Sequence, residues 1–199
     1  MSRWKRLPLV FAAALLTATI LPPASASTFS RADLAYLVAE NETIVVGEAV
    51  DAASYWNEDR SFILTDVRVA VTDVLKGSLA KREVTVTVPG GKVGELTSVI
   101  VGGAELQPGN YYVLFLRQGD LLGRRNVQFV REHGQGVFDV RMAGDGLRAV
   151  SQARTHTLLP DEAGNAEPVG GAEGLPFTTL IESVRNLAAR GRDSRAEVK

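Results

Sequence analysis

His133 and His156 are the only imidazoles in the chain. With Glu132 or Asp161 they supply the donor types of a two-histidine, one-carboxylate metal site. Their separation of 23 residues carries no ligand spacing, so they read as solvated polar groups beside turns and no metal is expected. Serine catalysis needs a nucleophile, a base and an orienting acid. Ser61 and Ser98 lie in or beside expected strands without a neighbouring histidine, and no Gly-x-Ser-x-Gly elbow occurs. Glu48, Asp66, Asp73 and Glu95 would suit a carboxylate-dependent hydrolase if one barrel face gathered them. They read instead as the outward polar side of half-buried strands. Pro89-Gly90-Gly91-Lys92-Val93-Gly94 lacks the Lys-Ser/Thr step into a helix that a phosphate loop requires, so it reads as a turn between strands. Arg124-Arg125 is a small basic patch on an expected turn. The strongest binding candidate is Tyr55-Trp56 in a polar segment, since an exposed Trp beside charges is a frequent hot spot.

Composition narrows the chemistry further. The 199 residues fit one domain, and 45% apolar residues suffice for a core. The absence of cysteine excludes disulfide scaffolds, thiolate metal sites, iron–sulfur clusters and thiol nucleophiles. A net charge of -1 gives no electrostatic case for nucleic acid. No catalytic residue and no cofactor are implied, and the chain is expected to be no enzyme.

Residues 1–26 read as a secretory signal peptide. Arg3, Lys5 and Arg6 precede an apolar run from Leu7 to Leu21, and Ala24-Ser25-Ala26 forms a small-x-small cleavage site. The run is short for a bilayer span. Removing residues 1–26 takes away three bases and no acid, so 19 bases face 23 acids, a net of -4. The chain is therefore expected to be secreted or periplasmic, monomeric, and not membrane-bound after cleavage.

The remaining chain must position the candidates. Asp33, three residues after Ser30, suggests a capped helix over 31–39 with Leu34, Leu37 and Val38 on one face. Residues 43–50 read as a strand, and Ser54–Arg60 as a loop. From Ile63 to Leu75 alternation places Ile63, Val67, Val69 and Val71 inward; a bulge near Asp73 would restore burial beyond it. Strands are expected at 83–88, 92–101, 126–130, 136–141 and 147–150, with Tyr111–Leu116 as a central strand buried on both faces. Ala143-Gly144-Asp145-Gly146 makes a hairpin. Residues 157–175 predict an exposed, flexible loop. A helix over 176–191 follows, with Leu180, Ile181, Val184 and Leu187 facing the core and Gly191 stopping it; residues 192–199 form a disordered tail. The predicted fold is mainly β: a small antiparallel β-barrel over 27–156 with a helix at each end.

The order of these segments resembles the netrin-like module best known from tissue inhibitors of metalloproteinases. Glu42 to Val50 is similar to that family's first barrel strand. Val67 to Gly77, with its terminal Lys76-Gly77, is similar to the second. Val84 to Pro89, Val93-Gly94 and Tyr112 to Leu116 follow in the same order. The resemblance implies an OB-like barrel, as in cysteine-free bacterial secreted proteins of this general type. It also implies a secreted protease as a partner class. The animal inhibitors chelate the protease zinc through an N-terminal cysteine, which this chain lacks.

These observations predict an exported, non-enzymatic binding domain that recognises another exported macromolecule through loops at one barrel end, with Tyr55 and Trp56 in contact. A carbohydrate-binding module and a carboxylate-dependent hydrolase are the alternatives. The former would line a groove with Trp56 and one of Tyr111 and Tyr112, which point to opposite faces of their strand.

Overall fold

The computed structural model describes residues 29–197. The expected signal peptide lies outside them. In chain order the elements are β1 (Phe29–Ser30), α1 (Leu34–Glu40), β2 (Thr43–Trp56), β3 (Ile63–Lys76), β4 (Glu83–Pro89), β5 (Gly91–Val93), β6 (Leu96–Ser98), β7 (Tyr111–Leu121), β8 (Arg124–Phe129), β9 (Val137–Ala143), β10 (Gly146–Ser151), β11 (Leu158–Leu159), β12 (Leu175–Pro176) and α2 (Phe177–Glu197). Short 3₁₀ turns follow β8 (His133–Gly136) and β10 (Gln152–Thr155).

The expected mainly β fold with two helices is present. Eight strands form one sheet in the order β12-β10-β9-β7-β2-β3-β4-β8, and β7 also pairs with β8. Five strands, β2, β3, β4, β8 and β7, thereby form a ring. The parallel β4–β8 contact that completes it is a single pair, Val86 with Gln128. Strand β7 divides one edge between two neighbours. Tyr111–Leu114 pairs with β9, and Arg117–Leu121 pairs with β8. Of the run Tyr111–Leu116 expected to be buried on both faces, Tyr112–Leu116 is buried, as the lack of alternation predicts, while Tyr111 at its start is exposed.

Two cores result. Inside the ring lie Val45, Ala49, Val67, Val69, Val86, Tyr112, Leu114 and Leu116. On the other face of the sheet, Ile44, Val46, Val113, Phe115 and Phe138 meet Leu37 and Val38 of α1 and Leu180, Ile181 and Val184 of α2. The alternation of β3 is broken by register shifts where Thr72 and Leu75 are skipped in the pairing with β2. This is the bulged region expected near Asp73, and it turns Leu75 into the helix-covered core.

Several boundaries differ from expectation. Helix α1 begins at Leu34, because Asp33 itself accepts the Tyr36 amide as N-cap. Its C-terminus is held by Lys76, whose ammonium donates to the carbonyls of Val38 and Asn41. Strand β2 runs through the expected loop to Trp56, since Ala53, Ser54, Tyr55 and Trp56 all pair with β3. The expected strand over 92–101 is a hairpin, β5–β6, folded at Gly94 with φ of 59°. Helix α2 passes Gly191 and reaches Glu197, where a tail was expected. A glycine weakens a helix without ending it unless the backbone adopts positive φ there, and Gly191 does not. The 157–175 segment is mostly exposed, as predicted, but polar side chains hold it. Arg31 pairs with Asp161 and donates to the Glu167 carbonyl, and Arg148 donates to the carbonyls of Glu173 and Gly174.

Two glycines test this packing with opposite signs. A Cβ at Gly47 would lie 2.5 Å from the Ala70 carbonyl oxygen, so Gly47→Ala should cost about 1–3 kcal/mol. Nothing lies within 4 Å of a Cβ at Gly191, so Gly191→Ala should gain about 0.5–1 kcal/mol. Urea-unfolding midpoints should therefore move in opposite directions; a shared direction would contradict the packing.

Candidate functional site

Tyr55 and Trp56 are adjacent in an extended strand and therefore face opposite sides of it. Their side chains share no strand face. The Tyr55 hydroxyl donates to Asp66 Oδ1 at 2.9 Å, and Thr87 donates to the same oxygen at 2.7 Å. The Arg124 guanidinium lies 5.2 Å from the Tyr55 ring centroid and 3.7 Å from Asp66 Oδ2. Tyr55 is thus already engaged, in a cation–π contact and a charge-assisted hydrogen bond. Burial, then the Asp66 bond and charge, push its phenol up to about 12. Trp56 is half-buried on the other face, paired with the buried Ile63. The turn beyond is closed by Asn57, which accepts the Phe62 amide and donates to the Leu122 carbonyl.

The other candidates separate as well. Glu48 takes the Tyr111 hydroxyl and raises its pKa. Asp73 pairs with Arg185 on α2, and Glu95 sits in the exposed β5–β6 turn. With Asp66 these acids occupy four separate places. Ser61 donates its hydroxyl to Asp59 at 2.6 Å. The glycines at 90–91 serve close packing: a Cβ at Gly91 would lie 2.2 Å from Thr65 Oγ1. The histidines do approach one neighbour. The Phe29 ring centroid is 4.5 Å from that of His133 and 6.4 Å from that of His156. Among the described residues, no group of three His, Cys, Asp or Glu could hold a metal ion. Tyr112 is buried with its hydroxyl accepting the Gln107 amide, while Tyr111 is exposed, so only one of the pair reaches solvent.

A cleft of about 220 Å³ opens at the end of the ring, between the 102–110 segment, β9 and the 3₁₀ turn after β10. Alternation along β9 sets Asp139 and Arg141 on one side, and the Ser151 hydroxyl caps the turn that carries Gln152 and Arg154. Gln152 locks the cleft wall. Its Oε1 accepts the Glu105 amide at 2.9 Å, and its Nε2 donates to the Glu105 carbonyl at 2.7 Å and to Asp139 Oδ1 at 2.9 Å. The buried Asp139 pairs with Arg141 on one side and lies 3.6 Å from Arg154 on the other. One carboxylate is thus shared by two guanidiniums.

The cleft continues into a groove of about 380 Å³ beneath the β5–β6 hairpin; Ile100, Gly103, Glu105 and Gln107 line both. Two exposed apolar residues line this groove, Val99 at 75% and Ile100 at 37%, and Leu96 and Val101, near them in the chain, are exposed as well. Sequence reasoning missed this site. Val99-Ile100-Val101 falls at the end of the strand expected over 92–101, and Asp139, Arg141, Gln152 and Arg154 meet only through tertiary structure. No protein-family model, curated protein or solved structure matches the chain.

The Tyr55 arrangement predicts a pH dependence. A raised phenol pKa contributes stability below the unfolded value of 10, and the contribution is lost as pH rises through about 12. The ultraviolet titration difference between the wild type and Tyr55→Phe should show a phenol ionising near pH 12. In Asp66→Asn this should move part of the way back to 10, because burial remains. A Tyr55 that ionises at the ordinary value would contradict the buried contact.

Proposed function

We propose that the chain is an exported binding domain without catalytic activity, which recognises another exported macromolecule through the ring end formed by β5, β6 and residues 99–110. The exposed Val99 and Ile100, which line the groove beneath the β5–β6 hairpin, carry this reading. Exposed apolar side chains lining a formed groove are characteristic of a binding site. The leader-like residues 1–26 support export, and the dispersal of the four acids supports a non-catalytic role.

We propose further that the five-strand ring is a small OB-like barrel. The return of β7 and β8 to close on β2 and β4, with β4 and β8 parallel, supports it. The netrin-like resemblance makes a secreted protease one partner class. Tyr55 and Trp56 pass to a supporting role in this proposal, because Tyr55 is held by Asp66 and Arg124 and Trp56 faces the other side.

A photo-crosslinking residue placed at Val99 tests the reading in the exported fraction of the source cells. A discrete exported protein should be captured from Val99 and not from the same residue placed at the exposed Glu182 of α2. Equal capture from both positions, or none from Val99, would overturn the assignment of this surface.

A further inference from the structure

Arg154 is the most informative residue of the cleft. Its side chain is only 25% exposed, yet among the described residues its guanidinium reaches only the Ser151 carbonyl at 3.5 Å and Asp139 at 3.6 Å. A guanidinium carries five donors in a rigid fork that matches a carboxylate. A group this deep in the protein normally meets its acceptors at shorter range. Arg141, 55% exposed, stands on the other side of Asp139 with part of its fork toward solvent. Gln152 fixes Asp139, and Asp139 holds both arginines at the cleft, so the donors are positioned before a ligand arrives.

We propose that this cleft binds a carboxylate of an extended peptide segment, with the neighbouring apolar side chains of that segment lying in the groove against Val99 and Ile100. The inference rests on the reading of the ring end as the recognition surface and names the chemistry of its partner. Two guanidiniums beside an apolar groove suit a peptide acid better than a polyanion, which would need a longer basic stripe. Asp139 offsets one of the two guanidinium charges, and the exposed Glu105 carboxylate is screened by water, which leaves the inner cleft suited to one anionic group. Asp139 is buried under both arginines, and Glu105 stands exposed at the rim, held by Gln152 through its backbone. The carboxylate has two sources, a chain terminus or an acidic side chain, and both present the same paired oxygens.

Nitrogen-resolved NMR of the purified protein tests this with three probes: acetyl-Val-Val as the free acid, acetyl-Val-Val-amide, and acetyl-Val-Asp-Val-amide. Saturable shifts of the Gly102 and Gly103 amides and the Arg154 Nε–H are expected with one or both of the carboxylate peptides and not with the neutral amide. Which carboxylate peptide binds identifies the source. Arg154→Gln should weaken that binding by roughly tenfold or more, the scale of a charge-assisted hydrogen bond. Arg141→Gln, at a more exposed position, gives the same test should the first variant fail to fold. An equal response to the neutral amide, no saturable response to either acid, or full binding by a folded variant would overturn the proposal. Capture from Val99 alongside any of those three results would leave the recognition surface standing and remove only the carboxylate.

Discussion

From Thr43 to Ala49, strand β2 has almost no solvent side. Val45 and Ala49 fill the ring, while Ile44 and Val46 fill the space beneath the helices. The strand is hydrogen-bonded along one edge to β3 and along the other to β7. Both cores therefore depend on the register of one segment, and a slip of one residue would exchange their contents. The bulges opposite β2 and the close approach of Gly47 to Ala70 fix that register. The second half of β2 then continues past the cores and carries Tyr55 to Asp66 and Arg124.

The division of β7 follows from the same arrangement. Its first half is locked between β2 and β9, and its second half is free to turn toward β8. That places β9, and with it Asp139 and Arg141, outside the ring but beside its open end. The 3₁₀ turn after β10 brings Gln152 and Arg154 back to them. A buried carboxylate held by an amide and two guanidiniums is costly unless its geometry is fixed. Here the Gln152–Glu105 pairing fixes it and at the same time anchors the segment beside the groove. The polar cleft and the apolar groove thus share one support.

Much of the fold was legible in the chain. Alternation located β3 and β4, the unbroken apolar run located the buried part of β7, and the 3.6-residue pattern located the buried face of α2. The bulge near Asp73 followed from the failure of alternation there. The errors arose where tertiary contacts overrode local pattern. Polar Ser54 and Tyr55 read as loop, but Thr65 and Asp66 supply their partners across the strand pair. Residues 92–101 read as one strand, although a positive φ at Gly94 folds the segment back on itself. The cleft was the least legible part. Asp139, Gln152 and Arg154 are ordinary residues of a strand and a turn until distant segments bring them together, and no spacing in the chain marks that meeting.

The central claim is that recognition occurs at the ring end and not on the helix-covered face. Amide hydrogen exchange of the protein, measured free and with the partner captured from Val99, addresses it most directly. The account predicts added protection over residues 91–110 and 152–156, with the exchange of α2 unchanged. Protection confined to α2, or to the β2–β3 end around Tyr55, would contradict it.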